Sequence, residues 1–226
     1  MRPALRRLAL AVLATVFVAG GLTATDASAA TPYRRDLYFS AGYERQIDSR
    51  TCTAAGTAMM LNFIARRDLG LSQMGILRYE QPRDALNDSV QRGSDPLGWS
   101  LALTHFSYRT GKETVYKWAA YDTKSTALRV AARAIARFNK PAGLLVWSGR
   151  HAIVMTGFES NRDPRKGDFT LTRVITSDPY WAGETVGKHR GWSVSSFPLR
   201  KYTQLDATRT YDRLWYGKYI VVIPTN

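Results

Sequence analysis

The stretch SRTCTAAGTAMMLNFIARRDLG, residues 49–70, contains the only cysteine of this 226-residue chain, Cys52. From Thr53 onward, apolar residues recur at helical spacing, helix formers continue through Arg67, and Gly70 stands where a helix commonly ends. The sequence therefore predicts a helix with one broad buried face and with Cys52 in or just before its first turn. The unpaired N–H groups of a first turn and the positive end of the helix dipole favour a thiolate over a thiol.

The start of the chain has the pattern of a secretory signal. A basic opening, MRPALRR, precedes an apolar run from Leu8 to Leu22, and the segment ends in TATDASAA, the small-residue pattern that signal peptidase cuts. The apolar run is about 15 residues long, whereas a membrane-spanning helix needs ~20. We therefore expect residues 1–30 to be a signal peptide and residues 31–226 to form one secreted domain without a stable membrane anchor.

A single cysteine in an exported protein has three interpretations. It can be buried and inert, it can form an intermolecular disulfide, or it can be a nucleophile. With one cysteine, no intramolecular disulfide is available. The nucleophile interpretation requires supporting residues elsewhere in the chain.

Three residues outside the predicted helix fit such a supporting role. Gln46 lies six residues before Cys52, near enough for its amide and the Cys52 backbone N–H to hold an oxyanion. His151 opens HAIVMTGF, which predicts a strand that follows the strand AGLLVW. Asp178 ends the returning strand, and antiparallel pairing places it beside His151, where a carboxylate would orient the imidazole. Each residue alone also has an ordinary interpretation as a surface amide, a strand-end histidine or an Asp-Pro turn.

The remaining histidines and one tryptophan receive weaker predictions. His105 lies in an apolar helical segment and is expected to be a packed or surface residue. His189 lies in a basic, Gly-rich loop with no partner evident from the sequence. Trp181, three residues after Asp178, is the tryptophan expected to line the cleft.

Taken together, the ordered residues Gln46, Cys52, His151 and Asp178 resemble the papain-like cysteine peptidases. The segments that carry the resemblance are Q-x5-C-x-A-x3-AMMLNF, GRHAIVMTGFE and ITSDPYWAGE. They are most similar to the group related to the bacteriocin-processing, double-glycine-leader peptidases, over roughly residues 43–184. The resemblance implies an α+β, papain-like fold, in which N-terminal helices, with the nucleophile at a helix N-terminus, pack on a C-terminal antiparallel sheet.

By this resemblance, Cys52 is the nucleophile, His151 the general base and acid, Asp178 the orienting residue and Gln46 the oxyanion donor. No metal-ligand spacing or phosphate-binding loop is present in the sequence, and we expect neither a metal ion nor a cofactor. Thr53 departs from the family pattern because relatives usually carry Gly there. A β-branched side chain at this position is expected to narrow the cleft or change its specificity.

The function predicted from these residues is that of a secreted cysteine peptidase that hydrolyses peptide bonds through a thioester acyl-enzyme. One alternative is an acyl or peptidyl transferase with the same triad, and another is a non-catalytic module that binds peptide or wall polymer. Leader-peptide processing is not carried over, because the relatives are cytoplasmic domains of export transporters. The expected partner is a peptide or protein substrate.

The charge of the chain predicts further partners. There are 32 Lys and Arg residues against 18 Asp and Glu, a net charge of +14. Such a surface favours an anionic wall or surface polymer, whereas scattered basic residues without a recognition motif argue against nucleic acid. A helix predicted over 125–138, capped by Ser125, places Arg129, Arg133 and Arg137 on one face. A solvated surface is the favoured interpretation of this stripe, and a docking site for an anionic partner is the alternative.

Overall fold

The structure, a computed structural model, describes residues 32–85, 93–180, 185–203 and 212–226. The predicted signal peptide and Trp181 lie outside these residues. No helix within the described ranges is both long and apolar enough to cross a membrane. Helices and a large antiparallel sheet make up the described chain, which confirms the predicted α+β class.

The four longer helices begin in two different ways. Their bounds are α1 (Cys52–Ala65), α2 (Gln73–Glu80), α3 (Pro96–Phe106) and α4 (Lys124–Phe138). Single turns, α5 (Thr185–Lys188) and α6 (Asp212–Trp215), follow later in the chain. Side chains of Ser72, Asp95 and Thr123 accept hydrogen bonds from first-turn N–H groups of α2, α3 and α4, respectively. No side chain caps α1 in this way, so its first turn keeps its N–H groups for other acceptors.

Within the described residues, seven strands form one sheet with antiparallel pairing throughout. The strands are β1 (Tyr33–Asp36), β2 (Tyr116–Tyr121), β3 (Ala142–Val146), β4 (His151–Ser160), β5 (Leu171–Ser177), β6 (Arg190–Ser193) and β7 (Tyr219–Pro224). Their order is β2-β7-β3-β4-β5-β6, and β1 also pairs with β4. Strand β4 is therefore central, with its first residue, His151, opposite Val146 of β3.

The two faces of the sheet are covered by different helices. Alternate side chains of β4, such as Ala152 and Val154, pack with α1 and α3. The intervening side chains Ile153 and Met155 pack with α4 on the opposite face. A strand covered on both faces becomes apolar throughout, as the sequence of β4 is.

The predicted packing of helices on an antiparallel sheet is confirmed, and two strands join that sheet from earlier in the chain. Strand β1 precedes all the helices and pairs with β4, and β2 lies between α3 and α4 in the chain. Strand β2 pairs with β7 along its whole length. These partners are distant in sequence, so periodicity within one segment could not predict the pairing.

Helices α1 and α4 also differ in detail from their predicted forms. Helix α1 is buried on all sides from Cys52 to Ile64. It ends at Ala65, with Arg66 as a left-handed C-cap, and does not continue to the predicted stop at Gly70. The Asn62 side chain accepts a hydrogen bond from Leu69 N (2.9 Å), which stabilises the turn after the helix. In α4 the capping residue is Thr123, and Ser125 lies within the helix.

Trp99 of α3 determines how closely α1 approaches the sheet. Its indole is fully buried and packs against Gly56 of α1 and Gly143 of β3. A Cβ at Gly143 would lie 2.3 Å from Trp99 Cη2, and a Cβ at Gly56 would lie 3.1 Å from Cζ2. Both glycines are therefore required for this packing, which holds α1, and with it Cys52, against β3 and β4.

We predict that Gly143→Ala destabilises the fold because the added methyl group displaces the buried indole. Overpacking of this kind costs about 1–3 kcal/mol in the free energy of unfolding, measured by urea denaturation.

Gly75→Ala is the matched control. A Cβ at Gly75 meets its nearest neighbour, Ser72 Cβ, at 3.4 Å, an ordinary contact, and alanine favours the helix. Unchanged stability of Gly143→Ala would contradict the packing role of Trp99.

Candidate active site

Cys52 is the first residue of α1 and is 9% exposed. The preceding residue, Thr51, uses its hydroxyl within the loop before the helix, where it donates to Asp48 O and accepts from the backbone N–H of Ile47. Because the hydroxyl of Thr51 is engaged there, it does not compete with the sulfur for the first-turn N–H groups. Such groups and the helix dipole stabilise negative charge at this position.

His151 lies close to both of its predicted partners. Its Nε2 lies 2.7 Å from Asp178 Oδ1, and Cys52 is near enough to raise the pKa of the imidazole. Since Asp178 engages Nε2, the nitrogen that remains for the sulfur is Nδ1. The three side chains thus form a continuous chain from thiol to imidazole to carboxylate, although they come from α1, β4 and the residue after β5.

The environment of His151 favours the protonated ring. Burial lowers the pKa of the imidazole, but the hydrogen bonds to Asp178 and Cys52 act in the opposite direction and raise the His151 pKa to about 9. The ring is therefore an imidazolium at neutral pH. A cationic ring in this position can donate a proton to a leaving group.

Asp178 is held in place by backbone and side-chain hydrogen bonds. Its Oδ1 accepts from the backbone N–H of Tyr180 (2.9 Å), the turn expected for Asp followed by Pro. Its own backbone N–H donates to Gly187 O (2.9 Å), and its carbonyl accepts from the hydroxyl of Tyr43 (2.9 Å). The backbone of Asp178 is thus held by two hydrogen bonds, and the Tyr180 N–H orients the carboxylate that contacts His151.

Gln46 lies in the same loop system as Asp178. Its backbone N–H donates to Pro179 O (2.9 Å), and its side-chain Nε2 donates to Asp48 O (2.8 Å). Its Oε1 is buried and has no hydrogen-bond partner among the described residues. An amide nitrogen has two N–H groups, so the bond to Asp48 leaves a second donor.

Gln73 of α2 holds the backbone on both sides of Gln46. Its Nε2 donates to Arg45 O (2.7 Å), and its Oε1 accepts from the backbone N–H of Ile47 (3.1 Å). Gln73 thus fixes the backbone of the two residues next to Gln46 and so helps to position Gln46. Sequence reasoning missed this residue.

Two aromatic side chains beside His151 were also missed. Trp147 stacks on the imidazole, with ring centroids 4.4 Å apart, and Tyr180 contacts the imidazole edge to face at 5.9 Å. About half of each aromatic side chain is exposed. Both adjoin predicted site elements in sequence, because Trp147 ends the segment AGLLVW and Tyr180 follows Asp178-Pro179.

No protein-family model matches this chain, and no curated protein matches it. Among solved structures, it is similar to UfSP from C. elegans, with a TM-score of 0.47 and 12% identity over 81% of this chain and 32% of that one. It is also similar to digestive procathepsin L2 proteinase from Tenebrio molitor larval midgut, with a TM-score of 0.40 and 9% identity over 89% of this chain and 70% of that one. The chain thus spans about a third of the length of the UfSP chain.

Thr53, predicted to narrow the cleft, points into the protein interior. It is buried, and its hydroxyl donates to Glu80 Oε2 (2.7 Å). Thr57, one turn later, donates to Glu80 Oε1 (3.4 Å). The expectation that Thr53 narrows the cleft was wrong because side-chain direction in the first turn depends on how the helix packs, and Glu80 of α2 supplies a buried acceptor. The expected change of specificity stays a prediction.

The other two histidines have different neighbours. His105 is exposed on α3 and stacks on Tyr79, with ring centroids 4.1 Å apart. His189 lies 2.9 Å from Asp36 Oδ2 through Nε2 and stacks on Tyr38. His189 therefore links β1 to the segment before β6, a partner that the sequence did not reveal.

We predict that the buried carboxyl of Glu80 makes stability depend on pH. Burial is the largest influence and raises the pKa of this carboxyl, and the charges of Asp84 and Asp95 raise it further. The hydrogen bonds from Thr53 and Thr57 lower it in part, and the resulting pKa is about 8. The folded state then binds more protons than the unfolded state between about pH 4.5 and 8, so the free energy of unfolding falls as pH rises through this window. The expected slope is roughly 1 kcal/mol per pH unit.

Glu80→Gln should remove the part of this slope that Glu80 contributes, since an amide can still accept from Thr53 but does not titrate. His151, whose pKa is raised to about 9, contributes a slope of the same sign above about pH 6.5 in both proteins. Urea denaturation of both proteins at several pH values measures the difference. The matched control is Glu113→Gln, at an exposed position, which should retain the wild-type slope. Parallel pH profiles for wild type and Glu80→Gln would contradict the prediction.

Proposed function

We propose that this protein is a papain-like cysteine peptidase that acts outside the cell on peptide bonds, with Cys52 as nucleophile. The observation that carries this proposal is the position of His151, which lies 2.7 Å from Asp178 Oδ1 and close enough to Cys52 for that side chain to raise the pKa of the ring. A cysteine with a base in reach, and a third group that orients the base, is the arrangement required for covalent acyl transfer. The order of the motifs, which resembles the bacteriocin-processing group, supports the same roles.

In the first half of the reaction, Cys52 Sγ attacks the carbonyl carbon of the scissile bond and the carbonyl oxygen becomes an oxyanion. The His151 imidazolium then donates its proton to the departing amine, the C–N bond breaks and a thioester remains. In the second half, neutral His151 accepts a proton from water, which attacks the thioester. The C–S bond breaks, the carboxylic acid product leaves, and the thiolate–imidazolium pair is restored.

Gln46 and the backbone N–H of Cys52 are the proposed donors to the oxyanion. The Asp48 carbonyl holds one N–H of the Gln46 amide, which orients the side chain and leaves the second N–H for the reaction. Donors fixed before the reaction stabilise developing charge without reorganisation. The hydrogen bonds from Gln73 to the backbone on both sides of Gln46 support the role of Gln46 as an oxyanion donor.

The aromatic pair Trp147 and Tyr180 is proposed to contact the leaving-group side of the substrate. His151 must reach the departing amine to protonate it, and both rings flank His151. Their half-exposed faces suit an apolar side chain of the substrate. Secretion remains part of the proposal and rests on the signal-like sequence of residues 1–30.

The reactivity of the thiol tests the proposal. We predict that iodoacetamide alkylates Cys52 rapidly even at mildly acidic pH, because the His151 imidazolium stabilises the thiolate. His151→Ala should slow alkylation at pH 6 by about tenfold or more, whereas the reaction should recover at high pH. The rate is measured from pH 5 to 9 by mass spectrometry of the intact protein.

The matched control is His105→Ala, which removes an exposed histidine from α3 and should leave the alkylation profile unchanged. A native thiol that reacts only after unfolding would refute the enzyme proposal. Hydrolysis is then sought with a library of peptide esters, and Cys52→Ala must abolish it.

The role of Gln46 is distinguished by comparing two reactions of one variant. We predict that Gln46→Ala lowers acyl transfer by roughly 10²-fold or more, since one oxyanion donor is lost, but leaves alkylation by iodoacetamide nearly unchanged. Alkylation forms no tetrahedral intermediate, so it does not need the amide. Peptide-ester hydrolysis and alkylation rates are measured on the same preparation.

Two results would contradict this role for Gln46. Equal effects on both reactions, with a lowered melting temperature, would mean that the amide only holds the loop through Asp48. Unchanged rates in both reactions would mean that Gln46 is an ordinary surface residue.

A further inference from the structure

A groove lined by arginines lies on the face of the sheet opposite Cys52. It is formed by α4 and the connection between β4 and β5, and it has a volume of about 570 Å³. Its lining residues, called the arginine groove below, are Arg133, Arg137, Pro164, Arg165, Gly167 and Asp168. Helix α4 packs on one sheet face and α1 on the other, so the groove is separate from the candidate active site.

The guanidinium of Arg133 is fixed before any ligand arrives. Its Nε donates to Pro164 O (3.3 Å), and its Nη2 donates to Gly167 O (3.2 Å). It also lies 5.5 Å from the centre of the Phe169 ring, on which Arg129 stacks at 5.1 Å. An arginine held in this way loses less conformational entropy on binding an anion than a free side chain does.

Charge in the groove is unevenly compensated. Asp168 forms an ion pair with Arg129 (3.2 Å), and Asp163 pairs with Arg165 (2.6 Å). Within the described ranges, no carboxylate lies within ion-pair distance of Arg133 or Arg137. These two exposed cations therefore face solvent with positive charge that a bound anion could neutralise.

The arginines also form a line. Residues 129, 133 and 137 are successive at i, i+4 spacing, so they repeat about every 6 Å along α4 and extend over about 12 Å. A single small anion could contact one of them, but a linear polyanion can follow the row and contact both Arg133 and Arg137, while Arg129 stays paired with Asp168. The planar fork of a guanidinium matches the oxygens of a phosphate group.

We propose that the arginine groove binds a linear polymer that carries repeated phosphate groups, and so docks the protein on an anionic surface. The net positive charge of the chain assists association with such a polymer from a distance. This inference is independent of the catalytic proposal, because none of its residues contacts Cys52, His151 or Asp178.

Binding of a short synthetic poly(glycerol phosphate) chain, measured by fluorescence anisotropy, tests the inference. Arg137→Gln should weaken binding by about tenfold, the cost of one charge-assisted contact. Arg133→Lys retains the charge but loses the fork, and should weaken binding severalfold. Cys52→Ala should bind as the wild type does, so failure of this test is distinct from failure of the proposed catalysis.

Arg78→Gln is the matched control, since it makes the same charge change on the exposed surface of α2. It should leave binding nearly unchanged. Equal weakening by Arg78→Gln and Arg137→Gln would overturn the proposed groove, because binding would then depend on net charge alone. Tighter binding of poly-L-glutamate than of the phosphate polymer would overturn the proposed chemistry, and an absence of saturable binding would overturn both.

Discussion

The candidate active site depends on the packing of Trp99 between Gly56 and Gly143. The indole contacts α1 and β3 simultaneously, and neither glycine has a Cβ to keep it away. The depth at which α1 lies on the sheet is therefore set by one aromatic side chain. Since Cys52 begins α1 and His151 begins the neighbouring strand β4, the same packing determines the approach of the thiol to the imidazole.

A second constraint joins the remaining site residues through the main chain. The segment around Gln46 hydrogen-bonds Pro179 and Asp178, through the backbone N–H of Gln46 and the hydroxyl of Tyr43. The proposed oxyanion donor and the carboxylate that orients His151 thus share one rigid loop system. A change in either residue is expected to affect the other, so their effects on catalysis should be non-additive.

The sequence predicts correctly those site residues whose position follows from local strand and turn patterns. A strand that begins at His151 and a returning strand that ends before Asp178 place these residues together through antiparallel pairing alone. The direction of Thr53, the neighbours of His189 and the stacking of Trp147 depend on elements distant in sequence. Arg66 ends α1 in place of Gly70 because Asn62 bonds the following turn, a tertiary choice that overrides the usual preference for glycine.

An ionised Glu80 would be unfavourable for the proposed catalysis because of where this side chain lies. It accepts from Thr53, the residue next to Cys52, and a negative charge there would oppose a thiolate at the start of α1. Burial is the main cause of a Glu80 pKa of about 8, so the group is mostly neutral at physiological pH and the conflict is reduced. Neutral Glu80 still hydrogen-bonds the first turn of α1. The buried acid can therefore support the nucleophile helix without cancelling the electrostatic effect of its N-terminus and of the His151 imidazolium.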